Sequence, residues 1–396
     1  MSEERSDGGT VPSIERLGTP LAFKVRGGSD QPANTGTASE LRIRCEVRAL
    51  EGMQKEALVR HGPSGTAWRM VSDEGPYLEG TDLAPFPLAF YTAGVVFSFM
   101  TETLSHAAEL DVEVESLALT SDHYYSMQGS ALRGNMIGGA MPIEIAVDLE
   151  TDATEEEVGR ILELAQASSP AEAYMRESLQ NTFSLTANGC AVEIRDLRPS
   201  ARPAEDPAHS FDGIDPLTGE FLGDIITKIA AADVVHGVEG GAGSSLQAEQ
   251  KRGLHVRGEA RLLSSTLKEI RVHLLKPIGS SFRFLGEDGG RYLAPPALAY
   301  LSAGVGFCYM TQLGRYAHIT RKELKSYRIV QDNVFHRARP AADEFRPAAA
   351  EPVDTNVFLA LDEPEDVARK MVFMGERTCF LHAALRGAHP TRVRLA

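Results

Sequence analysis

The sequence predicts an α+β fold in which one unit occurs twice along the chain. Each unit is an antiparallel sheet with a buried central helix, and the two units pack on each other. Three observations carry this expectation. The segment 83–101, LAPFPLAFYTAGVVFSFMT, returns at 293–311 as LAPPALAYLSAGVGFCYMT, with 11 of 19 positions identical at an offset of 210. The residues ahead of each copy alternate apolar and polar, the period of a half-buried strand. The copies themselves are apolar nearly all round, so a helix there must be covered on several sides, more than one small sheet supplies.

The elements follow in order. Leu41, Ile43, Cys45 and Val47 alternate with Arg42, Arg44, Glu46 and Arg48, which makes 41–50 a strand. The matching stretch LHVRGEARLL at 254–263 shares five of ten positions at an offset of 213, and three residues are lost before 293. Residues 57–60 and 68–72 read as two further strands with a turn at 62–65. The DEGP and EGTD clusters end that sheet. Pro85 and Pro87 stand at the first turn of a helix over 88–110, where proline is tolerated. Strands are expected over 112–121 and 142–149. Thr154 with Glu157 forms a capping box for an amphipathic helix over 154–167, and Ser169 leads toward a last helix over 171–179. The order is β-β-β-α-β-β-α-α, an α+β layout. The offset of 210 persists at Asp122 and Asp332, Val147 and Val357, and Arg176 and Arg386.

The expected domains are 1–40, 41–196, 197–252 and 253–396. The first is an arm rich in Gly, Ser, Thr and Pro, read as disordered. It has no apolar core flanked by positive charge, so no signal peptide is expected. The second and fourth are the two units. The third is a linker with one helix over 221–235 (FLGDIITKIAAADVV) and a glycine-rich run at 237–243. That run lacks the Gly-Lys-Ser/Thr ending of a phosphate loop and reads as a flexible connection.

Composition narrows the function. At 43% hydrophobic and 24% charged the chain is ordinary globular material. A net charge of −15 argues against a nucleic-acid backbone as partner. No apolar stretch reaches the length of a membrane span, so no membrane partner is expected. Four cysteines do not make a disulfide scaffold, and a reducing cytoplasm is the expected location. Cys45 and Cys190 read as packing residues. Cys308 lies between Phe307 and Tyr309 in the apolar helix, where a free cysteine is ordinarily a small buried residue.

The first unit has serines, Ser98 and Ser169, where the second has Cys308 and Cys379. Ser98, Glu102 and His106 follow at spacings of four and share one helical face, while Asp122 and His123 lie on a strand that could run beside it. The carboxylate and imidazole, with Asp122 or His123, form a candidate divalent-metal set. A hydrolytic pair of Ser98 and His106 would span about 12 Å along the helix, too far for proton transfer. The plain reading is a polar face satisfied by the other unit, and no metal or cofactor is expected.

These motifs resemble the OsmC/Ohr family, the osmotically inducible and organic-hydroperoxide-resistance proteins. The resemblance spans both units, about 280 of 396 residues. It is carried by Ala-Pro-x-x-Leu entering the helix (Ala84, Pro85 and Ala294, Pro295), a Cys thirteen residues after that Pro (Cys308), and a second Cys opening a later helix (Cys379). Ala89 and Ala299 stand where the family motif has Glu. Family members are interlocked homodimers with sites near the interface, so the resemblance implies an intrachain pseudo-dimer of two OsmC-like repeats. It implies a thiol-dependent peroxidase acting on organic hydroperoxides, with Cys308 as nucleophile and Cys379 as resolving thiol. An Arg lowers the nucleophile's pKa in the family; Arg257 and Arg44, on the matching first strands, are the candidates. The implied partners are a small-molecule hydroperoxide or apolar ligand and a dithiol reductant. Two alternatives stand beside this: an OsmC-like enzyme of different chemistry using the polar or metal site of the first unit, and a non-catalytic protein binding a small apolar molecule.

Overall fold

The computed structural model describes residues 12–26, 39–231, 252–340 and 345–396. The chain opens with α1 (Ile14–Leu17) and β1 (Ala22–Val25). Three strands follow, β2 (Glu40–Ala49), β3 (Lys55–His61) and β4 (Thr66–Ser72), then the long helix α2 (Pro87–Glu109). Next come β5 (Ser116–Gln128), β6 (Ile137–Ala140), β7 (Glu144–Glu150), α3 (Glu155–Ser168), α4 (Pro170–Arg176) and β8 (Thr182–Ala187), with short strands β9 (Cys190–Val192) and β10 (Arg198–Pro199). The later part contains β11 (Ile226–Ala230), β12 (Arg252–Leu262), β13 (Leu267–Lys276) and β14 (Ser281–Glu287), then α5 (Ala297–Ile319). It continues through β15 (Ser326–His336), three two-residue strands β16 (Arg339–Pro340), β17 (Phe345–Arg346) and β18 (Ala349–Ala350), and β19 (Asp354–Ala360). It ends with α6 (Glu365–Thr378), α7 (Phe380–Gly387) and β20 (Arg392–Leu395). The fold is mixed α+β with two large sheets and several helices.

The capping box at the start of α3 forms as expected: Thr154 Oγ1 accepts from the Glu157 N–H at 3.3 Å, and Glu157 Oε2 accepts from the Thr154 N–H at 2.8 Å. Two expectations fail. The arm is not wholly irregular, because β1 pairs antiparallel with β4 and buries Phe23 and Val25 against Leu58, Ala67 and Phe211. The helix expected over 221–235 does not form over its described part. Ile226–Ala230 is a strand antiparallel to β14, and Ile225 and Ile226 are buried. Two adjacent isoleucines and a threonine favour the pleated surface over a helix, where β-branched side chains lose rotamer freedom. The glycine-rich run at 237–243 lies outside the described residues.

Each large sheet draws strands from both parts of the chain. One runs β1-β4-β3-β2-β15-β19-β8-β10 and the other β11-β14-β13-β12-β5-β7-β20. The joins are long and in register: Val47 opposes Ile329 and Cys45 opposes Gln331 between β2 and β15, and Val256 opposes His123 between β12 and β5. Side chains alternate across a strand, so register decides which face each residue takes.

The central helices are exchanged. Helix α5 lies over the sheet face of β2, where a Cβ placed on Gly306 would stand 2.9 Å from Val47 and 3.4 Å from Cys45 Sγ. Helix α2 lies over β12, where a Cβ on Gly258 would meet Thr92 at 2.9 Å. The two helices also press on each other. A Cβ on Gly94 would fall 2.5 Å from the Leu301 backbone N, and one on Gly304 would fall 2.6 Å from the Tyr91 backbone N. Only glycine admits backbone that close. A helix with a sheet on one side and a second helix on another has no solvent face, and Pro87–Met100 and Ala297–Leu313 are buried without a break. That is why these segments are apolar all round.

Candidate functional site

The site grows from the middle of α5 and the break between α6 and α7. Cys379 ends α6 and caps α7, its Sγ accepting from the His382 N–H at 3.4 Å. This fixes the thiol at the buried end of a short helix, facing α5. Cys308 comes from the opposite direction, and Cys379 Sγ donates to Cys308 Sγ at 3.3 Å although the residues are 71 apart in sequence. Both are buried, with exposures of 2% for Cys308 and 0% for Cys379. The first half has the same arrangement in oxygen: Ser169 caps α4 by accepting from the Glu172 N–H at 3.4 Å, and its Oγ lies 2.9 Å from Ser98 Oγ. The structure therefore brings Ser98 to Ser169 and Cys308 to Cys379, at positions that the offset of 210 aligns.

Charge reaches the dithiol from the other half of the chain. Lys55, at the start of β3, is 1% exposed. Its Nζ donates to the Met53 carbonyl at 2.5 Å and stands 4.0 Å from Glu74 Oε1. Glu74 accepts from the Thr311 hydroxyl at 2.7 Å, and Thr311 lies one turn beyond Cys308 on α5. Burial pushes the Lys55 ammonium down, while the negative charges of Glu74, Asp73 and a Cys308 thiolate favour it. Burial pushes the Cys379 thiol well up, and its hydrogen bond to Cys308 adds to this. The backbone N–H groups of His382 and Leu381 oppose it more weakly. Cys379 thus keeps its proton and directs it at Cys308. The surroundings are aromatic: buried Tyr125 lies close enough for both cysteines to act on its hydroxyl, and its ring is 5.6 Å from Phe380. His382 packs 5.1 Å from the Tyr309 ring, and burial lowers it to about 3, which leaves it neutral.

Lys55 and Glu74 were not anticipated from the sequence. A signal existed: Lys268 stands 213 residues beyond Lys55, the offset of the matching strands. In the structure Lys268 Nζ lies 3.2 Å from Asp288 Oδ2, which also accepts from Thr101 at 3.1 Å. The pattern of buried lysine, carboxylate and helix threonine therefore occurs at both places, each time with strand and helix from different halves.

Arg257 and Arg44 are not at the dithiol. Arg257 grips Asp122 with two bonds of 2.9 Å, and His255 Nε2 joins the same carboxylate at 2.6 Å. Arg44 lies 3.6 Å from Glu46 and 3.8 Å from Asp332. The reason is alternation. Val256 and Cys45 face the helices, so their neighbours Arg257 and Arg44 face the other way. Asp122 shares that outer face, whereas His123 is buried on the inner one, with Nε2 3.3 Å from Ser121 Oγ and its pKa pushed down to about 3 by burial.

The metal set is not assembled. Among the described residues no group of three or more His, Cys, Asp or Glu is placed to hold a metal ion. Glu102 does not pair with His106; burial lifts its pKa to about 7, with Arg337 opposing. His106 turns instead to two residues not anticipated, placing Nε2 2.7 Å from Ser168 Oγ and Nδ1 2.9 Å from Glu109 Oε2. Of the other cysteines, Cys45 is buried against Gly306 and Cys190 is exposed. No helix among the described residues is long and apolar enough to cross a membrane.

No family model matches the chain, and no curated protein matches it. Among solved structures it is similar to an OsmC-like hydroperoxide resistance protein from Jannaschia sp. CCS1, at 20% identity and a TM-score of 0.21, over 32% of this chain and 81% of that one.

Proposed function

We propose that the chain is a tandem duplication of OsmC-like repeats, 41–196 and 253–396 joined by 197–252, packed as an intrachain pseudo-dimer, and that it reduces organic hydroperoxides at Cys308 and Cys379 in a reducing cytoplasm. The observation that carries the reading is the 3.3 Å approach of two cysteines that are 71 residues apart. A packing cysteine needs no such partner. The exchange of central helices between sheets supports the pseudo-dimer, as do the crossed lysine–carboxylate–threonine sets.

The chemistry follows from the arrangement. The Cys308 thiolate attacks the distal peroxide oxygen. The O–O bond breaks, and the alkoxide leaves with a proton as an alcohol. Cys308 is then a sulfenic acid. Cys379 attacks that sulfur as its proton passes to the departing hydroxide, which leaves as water, and a disulfide remains. The sulfurs must close from 3.3 Å to about 2 Å, a movement that side-chain torsions supply. A dithiol reductant returns both thiols. Over the cycle one hydroperoxide, two electrons and two protons give one alcohol and one water. The fixed position of Cys379 limits overoxidation, because a resolving thiol stands beside the sulfenic acid as it forms.

The test is consumption of cumene hydroperoxide by the purified full chain with dithiothreitol. Saturable turnover that disappears in Cys308→Ser supports the reading. Equal turnover in that variant would remove Cys308 from the chemistry.

A further inference from the structure

We propose that the first half of the chain carries a second active site, a serine hydrolase centre for small carboxylic esters in which Ser168 is the nucleophile, His106 the general base and Glu109 the carboxylate that orients it. The geometry is a relay. Ser168 Oγ lies 2.7 Å from His106 Nε2, and His106 Nδ1 lies 2.9 Å from Glu109 Oε2. A ring nitrogen beside a carboxylate carries the hydrogen, so Nδ1 donates to Glu109 and Nε2 is left to accept from the serine hydroxyl. That is the arrangement nucleophile activation requires, recognised by geometry and not by residue order.

Two further observations separate this set from a cap. Ser168 is the last residue of α3, where a hydroxyl normally turns back to the helix. Its counterpart Thr378, at the end of α6, does this, donating to the Met374 carbonyl at 2.7 Å. Ser168 turns to the imidazole instead. The counterparts of His106 and Glu109 are Tyr316 and Ile319, so the second half has no such relay. The set also opens on a cavity of ≈ 230 Å³ that Ser168, His106 and Glu109 all line. Leu164, Pro170 and Phe345 give this cavity an apolar side, and Arg337 and Glu102 a polar one. Its volume lies below that of pockets for drug-sized ligands, which points to an ester with a short acyl chain.

The reaction balances with water as the only co-reactant. Ser168 Oγ bonds to the ester carbonyl carbon as its proton passes to His106 Nε2, and the carbonyl oxygen becomes an oxyanion. Arg337 is the cation lining the cavity that can meet this charge. Collapse expels the alcohol, which takes the proton from His106. Water then repeats the sequence on the acyl-serine and releases the carboxylic acid.

The experiment uses the full chain and two probes, 4-nitrophenyl butyrate and an alkyl fluorophosphonate. Saturable hydrolysis is expected, with kcat/KM reduced at least about 100-fold in Ser168→Ala and in His106→Ala. Glu109 is 65% exposed at its side chain, so Glu109→Gln leaves the fold alone, and its kcat is expected to fall about tenfold with KM little changed. The fluorophosphonate, displacing fluoride, should label the unmutated protein at Ser168, as read by peptide mass spectrometry, and this readout needs no variant. Hydrolysis unchanged in Ser168→Ala, or a folded protein carrying no label at Ser168, would overturn the proposal.

Discussion

Replacing Gly304 by alanine sets two effects of opposite sign against each other. In an ordinary helix the change adds about 1 kcal/mol of stability, because glycine is a poor helix former. Here the new methyl carbon would sit 2.6 Å from the Tyr91 backbone N and 3.0 Å from its Cα. Ordinary contact begins near 3.5 Å, so the crossing helices must separate by nearly 1 Å. Backbone cannot rotate away as a side chain can, which puts the cost at the upper end of overpacking, about 3 kcal/mol. The expected net change is therefore a loss of about 2 kcal/mol, taken as the difference of those two figures. Urea unfolding measures it as a lower midpoint with an unchanged slope. The same shift moves Cys308, one turn further along α5, relative to Cys379 on α7, so disulfide formation should slow as well. Stability equal to or above that of the unmodified protein would refute the crossing, and with it the packing that brings the thiols together.

Three other outcomes are expected. Cys379→Ser should permit one reaction of Cys308 and then, at excess hydroperoxide, drive it to the sulfinic acid, visible as a mass increase of two oxygens; sustained turnover would exclude Cys379 as the resolving thiol. Lys55→Met should slow alkylation of Cys308 by iodoacetamide at neutral pH, and an unchanged rate would show that Lys55 does not act on the thiol. Glu102→Gln should alter how stability depends on pH. The Glu102 pKa rises from 4.5 to about 7 on folding, so between those values the unfolded chain has released a proton that the folded protein still holds. Stability from this group falls as pH rises through that window and levels off above it. The gain of the Gln variant over the unmodified protein should grow between pH 5 and pH 8, and a gain constant with pH would contradict the burial of that carboxyl.

The parts of the fold legible in the sequence were those where one physical demand acted alone. Alternation at 41–48 placed Ile43, Cys45 and Val47 on the inner face, as the structure has them. The apolar wrapping of the two long helices implied cover on several sides, and Pro87–Met100 and Ala297–Leu313 are buried without a break. Strand β5 was expected but its bounds were shifted, Ser116–Gln128 against 112–121, because its inner face carries Ser121 and His123 among Leu117, Leu119, Tyr125 and Met127. These buried polar residues interrupt the apolar signal. The strand at Ile226–Ala230 was taken for helix because the run Ala230, Ala231 and Ala232 at its end masks the β-branched residues.

At the site, the offset aligned the serines with the cysteines, while the pairing of Cys308 with Cys379 was an expectation of the family resemblance and that of Ser98 with Ser169 was not anticipated. The charged partner was not, because a buried lysine contradicts every pattern that locates a core. Arg44 and Arg257 show the opposite error: the alternation that identified their strands also placed them on the outer face, away from the helices. The relay around His106 was hidden because its partners come from a different helix and from the exposed end of its own.

Peptide mapping shows whether Cys308 and Cys379 act as one redox pair. The reduced full chain is treated with less than one equivalent of cumene hydroperoxide, free thiols are blocked, and disulfide-linked peptides are identified by mass spectrometry. A single crosslink is expected, joining the peptides of Cys308 and Cys379 and reversed by dithiothreitol, with Cys45 and Cys190 recovered as blocked thiols. Oxidation that leaves Cys308 and Cys379 reduced, or that links Cys308 to another cysteine, would contradict it.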